Sequence, residues 1–275
     1  MSETYERIQA SAEFLRQRGA QPEALVILGT GLGGLSEQFD TTVSIPYDEV
    51  PHFPVSTAPG HAGQLVLATR KGRQVLVMEG RFHCYEGYSM QEVARPIRVA
   101  RALGANTLLL TSAVGGLDGR MRLGDICVVE DHINMMGTSP LEGINDERIG
   151  PRFPDMSAPY DARLIDRAEE RAIAAGFRLP RVVHVSVLGP QLETRAEYRM
   201  LRILGADTVG MSTVPECIAA VHAGMRVCAL AVVTDLGLPD ALEAVSVEKI
   251  IAIANAAAPQ LETLVLGLLE DIEDE

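Results

Sequence analysis

Basic residues are under-represented, and that shortage narrows the function first. The 275-residue chain has 24 Lys and Arg against 37 Asp and Glu, a formal net charge of −13. General nucleic-acid binding needs a basic face, so no nucleic-acid partner is expected. An anionic substrate would have to be held by a local cluster. Cysteine is also scarce: Cys84, Cys127, Cys217 and Cys228 are scattered without CxxC spacing and read as reduced, mostly core thiols of a cytoplasmic protein. There is no HExxH motif and no Cys/His cluster, so no metal is expected. The start, MSETYERIQASAEFLRQRG, lacks a basic-then-apolar signal, and no run reads as long enough to span a membrane, so no membrane partner is expected. Without a repeat, a low-complexity tract or a linker, residues 1–275 read as one domain able to bury a large core.

Apolar runs alternate with helical patterns along the chain. Buried strands are expected at 24–28, 64–69, 74–79, 107–113, 125–133, 182–188, 208–211 and 226–234. Helices are expected at about 3–18, at 90–103 behind Ser89, at 162–175, from about Tyr198 to a stop at Gly205, and at 246–269 with a kink at Pro259. Residues 137–161, rich in Gly and Pro, read as a long loop of the kind that often carries function. The pattern predicts an α/β fold, a single-domain three-layer sandwich with a mixed, largely buried sheet flanked by helices.

Polar clusters punctuate the strand ends. Gly29-Thr30-Gly31-Leu32-Gly33-Gly34 follows the first strand and satisfies GxGxxG, so a dinucleotide site and a single-phosphate site both stay open. The dinucleotide match is weak, because no convincing second βαβ unit follows. His61 sits among glycines in GHAG, and GRFHCYEGY holds Arg81, His83 and Tyr85, a fork for phosphate beside side chains suited to a sugar. Ser112-Ala113-Val114-Gly115-Gly116 are small enough to leave room for a ligand. From Gly189 to Glu216 the chain combines a turn, the carboxylate of Glu193, and Ser212-Thr213 ahead of Pro215-Glu216. The last reads as a capped helix start that would attract an anion. Taken alone, this stretch reads more readily as a capped helix with a surface glutamate.

Together these segments resemble the trimeric purine nucleoside phosphorylase family. The matching stretches are GTGLGGL, PGHAG, GRFHCYEGY, SAVGGL, GDICVVEDHIN, NDERIGPRFPDMS, and GPQLETRAE through GMSTVPE, in the family's order. The resemblance implies phosphorolysis of the N-glycosidic bond of purine nucleosides, with inorganic phosphate as co-substrate and no metal or organic cofactor. It places Thr30, His61, Arg81, His83, Ala113 and Ser212 around phosphate. His83, Tyr85, Val209 and Met211 fall to the sugar, with Phe153 reaching into a neighbouring subunit's pocket in a homotrimer. Glu193, Leu192 and Asp235 fall to the base, and His83, Glu193 and Asp235 are the residues expected to take part in catalysis.

Three positions depart from that family. Asp235 stands where 6-oxopurine enzymes carry Asn, and Leu192 where relatives carry Phe. An ionised Glu193 accepts the N1–H of guanine or hypoxanthine, whereas an ionised Asp235 would repel O6 and N7. Held protonated by burial, Asp235 could donate to N7 and still accept from an amino group, so a widened base range is expected. Val247 aligns where a His for the 5′-hydroxyl is usual, and TD…EAVSVEK looks more like methylthioadenosine phosphorylases. A methylthio substrate is therefore the alternative expectation.

Overall fold

The computed structural model describes residues 3–29, 38–58 and 60–272. Among these residues nine strands follow in chain order: β1 (Ala24–Leu28), β2 (Asp40–Pro46), β3 (Gln64–Arg70), β4 (Arg73–Glu79), β5 (Thr107–Gly116), β6 (Ile126–Asn134), β7 (Arg181–Ser186), β8 (Thr208–Gly210) and β9 (Arg226–Leu236). The helices are α1 (Glu3–Arg16), α2 (Met90–Val93), α3 (Arg95–Leu103), α4 (Ala162–Ala174), α5 (Arg195–Ile203), α6 (Val214–His222) and α7 (Val247–Asp271).

All five residues of β1 are buried, which is why ALVIL reads as an unbroken apolar run. Each large side chain among them contributes about 1.5–3 kcal/mol by leaving water. The strand lies parallel to β4 on one side and β5 on the other. Beyond β4, the antiparallel strands β3 and β2 complete one wing of the sheet. The other wing closes on itself: β5 pairs with both β8 and β9, and β8, β7, β6 and β9 pair in turn. This five-strand ring removes the free edges a flat sheet would leave. Helices flank the sheet in two groups, α1, α2, α3 and α6 in one, α4 and α7 in the other. The expected α/β architecture is therefore present, with ring closure as a feature that strand patterns alone do not disclose.

Three local expectations change. The helix read across 90–103 is two, broken at Ala94, because Pro96 lacks an N–H and favours the first turn of a new helix. Ser89 does cap the first, in a reciprocal arrangement with Glu92. Strand β2 was missed because DTTVSIP is largely polar, as sheet-edge strands often are. The expectation that no segment is long enough for a membrane also fails. By length and composition α7 is, with 25 residues and an 18-residue window of mean hydropathy 1.4. Ala254, Ala257, Leu261, Leu264, Val265 and Leu268 form its buried stripe, and it packs on α4 and β9. It runs continuously through Pro259. Residues 135–161 contain neither helix nor strand, as expected of the long loop.

Candidate active site

Strands β1, β4, β5 and β9 run parallel, so their carboxyl ends share one edge of the sheet. A cavity of about 330 Å³ opens there, where ligands bind in open α/β sheets. Its walls come from Gly29 after β1, Arg81 after β4, Ser112–Gly115 at the end of β5, Val209–Ser212 around β8, and Thr234–Asp235 at the end of β9.

One end is built to receive an anion. Arg81 is 2% exposed and its guanidinium is held from several sides. Nη1 donates to Ser212 Oγ at 3.1 Å and to Glu216 Oε1 at 3.3 Å, while Nη2 donates to the Thr111 carbonyl. Burial lowers the pKa of Arg81, and Glu216 opposes that shift. The second Glu216 oxygen has no partner among the described residues. The helix start works differently from its sequence pattern. Neither hydroxyl caps α6: Ser212 turns to Arg81, and Thr213 sits at φ +76° with its hydroxyl buried and without a partner among the described residues. Non-glycine residues hold such a conformation only when their surroundings impose it, and such strain clusters at functional sites.

Behind this corner three rings stack. His61 lies over His83 with centroids 5.5 Å apart, and His83 over Tyr85 at 4.6 Å. The backbone N–H of Arg81 donates to His61 Nδ1 at 3.1 Å. Burial, and then His83 and Arg81, lower the His61 pKa to about 4, so the ring is neutral at pH 7. His83 Nδ1 pairs with Glu86 Oε1 at 3.0 Å. Burial would raise Glu86, but hydrogen bonds from His83 and Thr57 bring it to about 2. Burial pushes the Tyr85 hydroxyl up to about 12, so it stays a donor. Met211 faces the same cavity because Gly189, at φ +66°, has no Cβ: one there would lie 2.2 Å from the Met211 sulfur.

The far end carries two carboxyl groups. Asp235 is 9% exposed and accepts from Thr234 Oγ1 at 3.2 Å. Burial raises its pKa despite that bond. Glu193 is half-buried, and burial raises it too, with Asp235 adding to the effect and the Tyr198 hydroxyl opposing it. Leu192, Val245, Val247 and Ile250 supply apolar wall.

The structure therefore brings Arg81, His83, Tyr85, Ala113, Leu192, Glu193, Val209, Met211, Ser212, Asp235 and Val247 to one cavity. His61 stands one ring behind it. Phe153 is outside the cavity of its own chain, 87% exposed on the long loop. Thr30 and Gly31–Gly34 lie outside the described residues, so only Gly29 of that motif is placed, donating to Thr111 Oγ1 at 3.0 Å. No group of three His, Cys, Asp or Glu suited to a metal occurs among the described residues. Sequence reasoning missed Glu216 as the partner of Arg81, taking it for a helix-start acid.

An anion corner, a ring stack of sugar-binding type and two carboxyl groups, arranged around one cavity at a sheet edge, define an α/β protein able to hold an anion beside a small sugar-bearing ligand. The chain belongs to the phosphorylase superfamily, whose family model matches residues 23–270, and its relatives are purine nucleoside phosphorylases. Purine nucleoside phosphorylase 1 of Bacillus subtilis is 48% identical over 231 residues, 84% of this chain and 85% of its own. The rat enzyme is 43% identical, over 98% of this chain and 96% of its own. A Schistosoma purine nucleoside phosphorylase solved with hypoxanthine matches with a TM-score of 0.91 at 37% identity, covering 96% of both chains. The Schistosoma mansoni enzyme solved with adenosine matches at 0.92 and 36%, covering 98% of both. The methylthio alternative is not favoured by these relatives.

Proposed function

We propose that this chain cleaves purine nucleosides with inorganic phosphate, releasing free base and α-(deoxy)ribose 1-phosphate, with 6-oxopurines as preferred bases and 6-aminopurines accepted. The observation that carries this is one cavity joining the Arg81–Ser212 corner to the Glu193–Asp235 end, with Tyr85 and Met211 between. Phosphate sits at Arg81, Ser212 and the β5 end at Ala113, with His83 and the neutral His61 behind. A phosphate oxygen attacks C1′ as the bond to N9 breaks, and the bonding pair leaves on the purine. The positive charge on the sugar is met by phosphate and the negative charge on the base by a proton or hydrogen bond at N7, so catalysis rests on placement and electrostatics.

Asp235 is the more buried of the two carboxyl groups and takes the protonated role, donating toward N7. The more exposed Glu193 remains ionised and accepts from N1–H. Beyond inorganic phosphate as co-substrate we propose no cofactor. We also propose a cytoplasmic homotrimer in which the exposed Phe153 completes a neighbour's sugar pocket.

The decisive measurement is phosphate-dependent base release from inosine, guanosine, adenosine and 5′-methylthioadenosine, side by side. Preference for inosine and guanosine supports this assignment, and preference for the methylthio substrate refutes it.

A further inference from the structure

A buried hydrogen-bond chain runs beneath the Ser212 corner, outside the cavity wall. Strand β7 places His184 and Ser186 two residues apart, so both side chains fall on one face of the sheet, and Thr208 of β8 stands opposite His184. None of the three is more than 1% exposed. Thr208 Oγ1 lies 3.1 Å from His184 Nδ1, His184 Nε2 lies 3.3 Å from Ser186 Oγ, and the Ser186 hydroxyl donates to the Ser212 carbonyl. Room for the ring comes from Gly210, where a Cβ would stand 3.1 Å from His184 Cε1. The chain has a single direction. A carbonyl only accepts, so Ser186 gives it the hydroxyl proton and accepts in turn from His184. Nε2 therefore carries the ring proton, which leaves Nδ1 to accept from Thr208. That needs a neutral imidazole, and burial provides one by lowering the His184 pKa to about 3.

The backbone held by this chain is strained. Thr213, at φ +76° and ψ −52°, is the centre of a three-residue turn closed by the Val214 N–H on the Ser212 carbonyl at 2.9 Å. Turns of that hand are rare and persist where surrounding contacts impose them. The Ser212 carbonyl has two lone pairs; Val214 takes one and Ser186 the other. The hydroxyl of the same Ser212 meets Arg81 Nη1 at 3.1 Å. We infer that Ser186 is a positioning residue for phosphate, fixing through the Ser212 carbonyl the turn that aims the Ser212 hydroxyl at the anion corner, with His184 and Thr208 directing its proton. This rests on the nucleoside phosphorylase reading given above.

Ser186→Ala deletes the donor with little change in volume. For this variant KM for phosphate rises about five- to ten-fold, the contribution of one hydrogen bond, while KM for inosine stays within about two-fold. A double-mutant cycle with Ser212→Ala separates positioning from packing: once the Ser212 hydroxyl is gone, Ser186→Ala adds less than about two-fold to KM for phosphate. A residue that only packs would lower the melting temperature and leave KM for phosphate in place. Should Ser186→Ala not fold, the same cycle is run on Thr208→Val, which keeps the side-chain shape and frees the His184 ring to change tautomer. Its rise in KM for phosphate is about two- to three-fold and likewise vanishes without the Ser212 hydroxyl. An unchanged KM for phosphate in the folded variant, or a rise that persists undiminished in the Ser212→Ala background, overturns the inference with the nucleoside reading intact. If instead the unaltered protein does not release base from inosine with phosphate, the nucleoside reading itself has failed.

Discussion

Replacing Arg81 with Met tests the anion corner most directly, because the structure separates its effect on stability from its effect on phosphate. Methionine fills much of the volume but removes every hydrogen bond to Ser212, Glu216 and the Thr111 carbonyl. It also strands Glu216, 1% exposed, with neither oxygen on a cation. Breaking a buried ion pair from one side costs about 3–5 kcal/mol, most of it the uncompensated charge. For a chain of this size that lowers the melting temperature by roughly 6–20 °C. Adding Glu216→Gln removes the stranded charge, so the double variant recovers about 1–2 kcal/mol of stability. Activity does not recover, since the fork that holds phosphate is gone, and a loss of roughly 10²–10³ in kcat/KM for phosphate persists. The assays are thermal or urea unfolding at neutral pH and initial rates at varied phosphate. Strictly additive stability losses in the double variant would refute the coupling argued here. Recovery of phosphate kinetics would show that Arg81 acts through the fold alone.

Other outcomes follow from the same geometry. Asp235→Asn exchanges a carboxyl that can be ionised for a permanent donor and acceptor, so kcat/KM for inosine rises and that for adenosine falls; parallel changes on both substrates would contradict the assigned role. Burial lowers the pKa of His184 to about 3, with His132 and Arg81 adding to the shift, and His61 likewise falls to about 4. The unfolded chain binds protons on these rings near pH 6.5 and the folded one does not, so stability is lost as pH falls from about 6.5 toward these values. His132 and His222 are lowered as well and add the same sign. The melting temperature therefore drops between pH 7 and 5, and the drop shrinks in His184→Asn; an identical slope in the variant would discard the attribution. Phe153→Ala deletes an 87% exposed ring, so it leaves the melting temperature of the separated subunit unchanged while raising KM for nucleoside in the assembly. Normal nucleoside kinetics in that variant would remove Phe153 from the neighbouring site.

Much of this protein is determined locally. The apolar run ALVIL becomes a strand buried on both faces, Ser89 and Thr194 cap helices through residues three positions away, and the polar clusters follow strand ends because the apolar runs stop there. Periodicity and turn chemistry report such features directly, and the order of the motifs carries the family resemblance. Tertiary structure decided what those features face. Arg81 and Glu216 are 135 positions apart, and the sequence around Glu216 reads as an ordinary helix start until β4 and α6 are brought together. The pairing of β5 with β9 shifts register between Val114 and Gly115, which sets Gly115 opposite Asp235; an alternating pattern is the same on either side of such a shift. Closure of the five-strand ring through the three-residue β8, and the packing of Tyr198 against Gly237, likewise depend on which surfaces meet. Sequence patterns record how much of a residue is buried, whereas the partner it is buried against is set by packing between segments far apart in the chain.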